Sequence, residues 1–152
     1  MRVHDAMTIE VQTISPATTV RDAARVMADQ DIGALPVVEG KRIVGMLTDR
    51  DIAVRAAAVA LGSDTPVSEI MTRDVQCCQS VEELDHALDE MGEQKVRRMP
   101  VLSKEGEMVG MLSLADIVCI DDDFRSIGRA LRDICTPHGV HSQAARTRPD
   151  ID

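Results

Sequence analysis

Residues 5–40 reappear 64 positions later as residues 69–104, and this duplication limits the fold more than any other feature of the 152-residue chain. Met7-Thr8 falls on Met71-Thr72, Val11-Gln12 on Val75-Gln76, Ala23 on Ala87, Met27 on Met91, Gln30 on Gln94, and Pro36-Val37 on Pro100-Val101. Past a Gly-containing turn the offset becomes 65, aligning Val44-Gly45-Met46-Leu47 with Val109-Gly110-Met111-Leu112 and Asp51-Ile52 with Asp116-Ile117. Together these make 15 identities in 50 pairs, where ordinary residue usage gives roughly 3 by chance. The inserted residue sits between two apolar runs, where a hairpin loop tolerates it.

Both copies read as β-α-β-β-α. A short apolar segment (Val11 to Ile14; Val75 to Cys78) precedes a helix start. Thr19 with Asp22, and Ser80 with Glu83, have the spacing of capping boxes. Val20, Ala23, Ala24 and Met27 then recur at helical intervals, as do Leu84, Ala87, Leu88 and Met91. Leu35-Pro36-Val37-Val38 and Ile43 to Leu47 predict a hairpin with proline at a strand start, where no ladder donor is lost. Met99 to Leu102 and Met108 to Leu112 repeat it. A second helix is expected from about Thr48 to a C-cap at Gly62, with its counterpart opening near Ser113. Residues 1–62 therefore form repeat one, and 63–121 a linker and repeat two. Thr65 and Pro66 begin a short linker helix as cap and first helical residue. In 122–135, Phe124, Ile127, Leu131 and Ile134 space an amphipathic helix, with Asp121 to Asp123 at its favourable end. Residues 136–152 read as a polar tail.

Composition narrows the function. Net charge is −9, which argues against a broad nucleic-acid surface. The chain has no Trp, no Tyr and one Phe, so base-stacking platforms are nearly absent. No apolar run approaches a membrane span, and Met1 to Asp5 lack a signal-peptide layout. Four cysteines, two of them adjacent, do not form a disulfide framework; a cytoplasmic protein with reduced thiols is expected.

The segment Gly45-Met46-Leu47-Thr48-Asp49-Arg50-Asp51 runs from a strand straight into a helix. Thr48 and the backbone donors there suit a phosphate, and a carboxylate at Asp51 can accept both hydroxyls of a ribose. Gly110 to Asp116 repeats the pattern with Ser113 and Asp116. The same residues equally suit N-caps and first-turn dipole partners, and duplication copies caps too. Cys135-x-x-His138-x-x-His141 has ligand chemistry but no second pair to complete a zinc set, so no metal is expected. Neither a Ser-His-Asp nor a Cys-His arrangement is evident, and His86 has no visible partner.

Tandem β-α-β-β-α units, the Pro-Val strand starts and Gly-x-x-Thr/Ser-x-x-Asp resemble a pair of cystathionine-β-synthase-type (CBS) domains over about residues 4–120. The resemblance implies an α/β fold, two repeats packed as a pseudo-twofold CBS pair (a Bateman-type module), plus the C-terminal helix. It implies an adenosine derivative (AMP, ADP, ATP, NAD or S-adenosylmethionine) bound in clefts for regulation, without catalysis. By position, Asp51 and Asp116 would hold ribose, and Thr48 and Ser113 would face phosphate. Ile32 to Pro36, including Leu35, and Val96 to Pro100, including Met99, would line adenine slots. Arg97 and Arg98 precede Met99-Pro100, where repeat one has Gly33-Ala34, and an arginine pair suits a phosphate clamp in repeat two. Arg50 and Arg55 accompany Asp51. A homodimer through the helix bearing Ala53, Ala56, Ala57, Ala58 and Ala60, and an unidentified regulated protein, are the expected partners. A scaffold with empty clefts, and a stress protein using Cys119, Cys135 and the C-terminal histidines, are the alternatives.

Overall fold

The computed structural model describes residues 1–120 and 123–136. The chain folds as a mixed α/β pair of repeats. Repeat one contains helix α2 (Val20–Gln30), strands β1 (Ala34–Glu39) and β2 (Arg42–Thr48), and helix α3 (Asp49–Asp51), which runs on as a π turn over Ile52–Ala56 and a 3-10 turn over Ala57–Val59. Repeat two contains β3 (Cys78–Gln79), α4 (Leu84–Gln94), β4 (Arg98–Leu102), β5 (Met108–Ser113) and α5 (Leu114–Ile120). A short helix, α1 (Val3–Ala6), precedes them and α6 (Phe124–Cys135) follows.

The two hairpins are antiparallel, with matching bulges after Val37 and Val101. Their first strands each bury three consecutive residues, Leu35 to Val37 and Met99 to Val101. Leu35 and Val37 are fully buried, as are their counterparts Met99 and Val101. A first strand of repeat one is reduced to a single parallel bridge between Ile14 and Val37, and its counterpart β3 pairs in parallel with β4.

Each repeat has its own core, but the chain segments that fill the two cores are exchanged. Val3, from the N-terminus, is buried in the core of repeat two with Leu84, Leu88, Met91 and Ile117. Val67, Ile70 and Met71, from the linker, are buried in the core of repeat one with Val20, Leu35 and Leu47. Reciprocal backbone bonds fasten the exchange: Thr8 with Met111 of β5, and Thr72 with Met46 of β2. The duplicated glycines make this possible. A Cβ on Gly110 would lie 2.8 Å from the Thr8 carbonyl oxygen and 2.8 Å from Met7 Sδ, and a Cβ on Gly45 would lie 2.5 Å from Met71 Sδ.

Several boundaries differ from the sequence expectation. α4 begins at Leu84 without a side-chain cap, not through a Ser80–Glu83 box. The carbonyls of Ser80 and Glu82 accept bonds from His4 and Val3, so docking of α1 holds this turn out of the helix. The helix after β2 ends in left-handed geometry at Ala60 (φ 58°), before Gly62. The linker turn is a 3-10 turn over Val67–Glu69 with Pro66, not Thr65, at its cap. Thr19 does cap α2, accepting from the Asp22 N–H at 3.1 Å.

α6 buries Ile127 and Ala130, while Phe124 and Leu131 stay exposed. Gly92 of α4 meets Ala130, so the closest approach falls on small residues and turns the expected apolar stripe partly outward. Asp123 caps this helix through Arg125 N–H and Ser126 N–H. Asp121, Asp122, His138, His141 and the tail beyond Thr136 lie outside the described residues. Among the described residues no helix is long and apolar enough to cross a membrane.

Candidate functional site

The exchanged segments create two clefts of matching composition. One, of about 260 Å³, brings Asp116, Ser113 and Met111 of repeat two against Ile32, Ala34 and Pro36 of repeat one. The other, of about 290 Å³, brings Asp51, Thr48 and Met46 of repeat one against Val96, Arg98 and Pro100 of repeat two. Thr8, Val11 and Gln12 complete the first, and Thr72, Val75 and Gln76 complete the second. Each cleft therefore takes its carboxylate from one repeat and its apolar slot from the other.

This changes how the sequence-derived residues group. Arg97 lines the cleft of Asp51, not that of Asp116, while Arg98 lines both. Leu35 and Met99 line neither cleft. They alternate with Ala34, Pro36, Arg98 and Pro100 along their strands, and their side chains fill the two cores. Arg50 faces a third, central cavity of about 710 Å³, lined also by Gly33, Thr48, Arg97, Arg98, Ser113 and Cys119. Thr8, Thr72, Gln12 and Gln76 were visible in the sequence only as repeat identities. Their place in the clefts follows from the exchange.

The paired motifs are built as caps with one oxygen to spare. Asp51 N–H donates to Thr48 Oγ1 at 3.1 Å, and Thr48 N–H donates to Asp51 Oδ2 at 2.9 Å. In repeat two, Ser113 N–H and Ser113 Oγ donate to Asp116 Oδ2 at 2.9 and 2.6 Å, and Asp116 N–H donates to Ser113 Oγ at 3.2 Å. Capping therefore occupies Oδ2 of each carboxylate. Oδ1 of Asp51 lies 3.6 Å from Arg55 Nε, and Oδ1 of Asp116 has no such partner among the described residues. The capping and ligand-binding readings of these motifs are compatible, because a carboxylate has acceptor sites for both.

Elsewhere, burial pushes the Cys78 thiol up to about 12, with the Glu82 and Glu90 carboxylates adding to the effect. Cys119 and Cys135 are exposed. His86 does have a partner: its Nδ1 hydrogen-bonds Glu82, four residues earlier, which raises its pKa. Glu82, in the turn before α4, and His86 and Glu90 on α4 bring metal-ligating atoms within 4.8 Å of one another. The Glu82–His86 bond and the Gln79 N–H donated to Glu82 at 3.1 Å account for two members of that group.

Comparison with known proteins agrees with this architecture. The family model described as "CBS domain" matches residues 3–57 and again 67–121. The CBS domain-containing protein YhcV of Bacillus subtilis is 38% identical over 132 residues, covering 87% of this chain and 94% of YhcV. The crystal structure of hypoxic response protein 1, which holds two coordinated zinc ions, superposes with a TM-score of 0.73 at 32% identity, covering 80% of this chain and 99% of that one. CBSX2 in complex with AMP superposes at 0.70 with 25% identity, covering 78% and 93%. The domain pair of MJ0100, bound to 5′-methylthioadenosine and S-adenosyl-L-methionine, superposes at 0.69 with 27% identity, covering 79% and 94%.

Proposed function

Because this chain belongs to the CBS-domain family, we propose that it is a regulatory module that binds an adenine nucleotide and passes on its occupancy, without catalysing a reaction. The observation that carries the reading is the pair of matching clefts, each joining a helix-start carboxylate with a spare oxygen to an apolar slot. The spare oxygen of Asp51 or Asp116 accepts from ribose hydroxyls. Adenine, flat and largely apolar on its faces, lies against Ile32 and Pro36 or against Val96 and Pro100. Phosphates then point to Arg97 and Arg98. Adenosine compounds in the related structures of CBSX2 and MJ0100 support this ligand class.

Occupancy reaches a regulated protein or a second copy of the chain through the helices that follow the ribose carboxylates. Those helices leave Val54, Val59, Val118 and Ile120 exposed, and the first is rich in alanine, which suits close packing of a homodimer. A thermal-shift screen of AMP, ADP, ATP, NAD, NADH and S-adenosylmethionine tests the reading. At least one compound is expected to raise the melting temperature. Should none do so, and none bind by calorimetry, the scaffold reading replaces it.

A further inference from the structure

The central cavity touches both clefts. Its wall includes Thr48 and Ser113, which belong to opposite clefts, and Arg98 lines all three cavities. Three arginines, Arg50, Arg97 and Arg98, face it, with Asp49 as the one acidic residue in its wall. These three arginines gather at one cavity of an acidic chain. Acidic residues outnumber Lys and Arg by 26 to 17. Arg2, Arg21, Arg25, Arg55, Arg129 and Arg132 are ion-paired, and Arg42 and Arg73, which are not ion-paired among the described residues, line none of the three cavities. No ion pair or side-chain hydrogen bond among the described residues engages Arg50, Arg97 or Arg98. An acidic chain that leaves three neighbouring guanidinium groups unneutralised around one cavity has a place for an anion.

The pseudo-symmetry is broken at this point. Arg97 and Arg98 occupy the positions of Gly33 and Ala34 in the other repeat, so two of the three cations come from one strand start and are not duplicated. Two ligands whose phosphates enter from opposite clefts therefore compete for one set of arginines.

We infer that the central cavity is a single phosphate locus shared by both clefts, so that nucleotides bound in the two clefts exclude one another in proportion to their phosphate charge. The inference rests on the nucleotide-binding reading above. Three guanidinium groups against one carboxylate leave a surplus of about two positive charges, and one phosphomonoester carries about −1.5 to −2 at neutral pH. The first phosphate group is matched by that surplus, and the second meets a neutralised cavity and a like charge. Adenosine, without phosphate, fills both clefts independently.

Calorimetric titration of the full chain with adenosine, AMP and ATP tests this. Adenosine is expected to bind two equivalents of similar affinity. For AMP the second equivalent is weakened by about 10-fold, and for ATP by about 100-fold, within the usual range of coupling between sites. Saturating inorganic tripolyphosphate is expected to weaken ATP at least 10-fold and leave adenosine unchanged. Two ATP molecules bound with affinities within about threefold of each other would overturn the shared locus, while the nucleotide-sensing reading stood. Adenosine filling one cleft only, or tripolyphosphate having no effect on ATP, overturns it as well. If neither adenosine nor any nucleotide binds, both readings fall together.

Discussion

Replacing Gly110 by alanine tests whether the two repeats are held together by exchanged segments. Gly110 has no positive φ, so alanine strains no backbone angle there and the cost is steric contact alone. The new methyl would stand 2.8 Å from the Thr8 carbonyl oxygen and from Met7 Sδ. The methionine can rotate away. The carbonyl cannot, because Thr8 is held to Met111 by two backbone hydrogen bonds of 2.9 Å. Overpacking of this kind costs about 1–3 kcal/mol, and loosening the two bonds adds about 0.5–1.5 kcal/mol each. We expect Gly110→Ala to lose about 2–6 kcal/mol, lowering the melting temperature by about 4–24 °C for a domain of this size. Gly45→Ala is the internal control. Its nearest neighbours are Met71 Sδ at 2.5 Å and Cγ at 2.9 Å, whereas the Thr72 carbonyl oxygen stands back at 3.1 Å. A side chain gives way more cheaply than a backbone, so about 1–2 kcal/mol is expected there. Calorimetric melting and urea denaturation of both variants measure the difference. A Gly110→Ala protein as stable as wild type, or one less affected than Gly45→Ala, would refute the argument.

Three further outcomes follow from the same contacts. Asp51→Ala and Asp116→Ala should each weaken nucleotide binding in their own cleft by about 10- to 100-fold, since a hydrogen bond to a charged group contributes about 1.5–3 kcal/mol. Each should also lose about 0.5–2 kcal/mol of stability with its cap; unchanged binding in the double variant by calorimetry would remove both carboxylates from the site. A fragment of residues 1–62 should show no cooperative unfolding by circular dichroism, because its core lacks Val67, Ile70 and Met71, whereas a sharp transition would show that repeat one is self-sufficient. The bond from Glu82 raises the pKa of His86, so the fold favours the protonated ring. That stabilisation is full below the ordinary imidazole value and is lost as pH rises through the raised one. The melting temperature of wild type relative to Glu82→Gln should therefore shrink between about pH 5.5 and about pH 8, with the His86 titration by NMR moving down in the variant.

The local layout was legible in the amino-acid order because it rests on short-range physics. The alternation of core-facing Leu35 and Val37 with cleft-lining Pro36, and of Met99 and Val101 with Pro100, marks strands whichever partner they meet. Thr48 with Asp51, and Ser113 with Asp116, close reciprocal caps within four residues. The duplication, the CBS resemblance and both candidate carboxylates came from such patterns. The same patterns were unable to say that residues 80–83 serve α1 before they serve α4, or that α6 would turn Phe124 outward to let Ala130 meet Gly92.

Tertiary structure alone decided which half of each repeat faces which. A duplicated chain offers every segment two nearly equivalent docking sites, one in its own repeat and one in the other. Local propensity is the same for both. The choice is made by long-range closure: Thr8 lies over Gly110 and Thr72 over Gly45, and each crossing buries apolar residues in the core of the other repeat. For that reason Arg97 shares a cleft with Asp51, 46 residues away in sequence, and not with Asp116 of its own repeat.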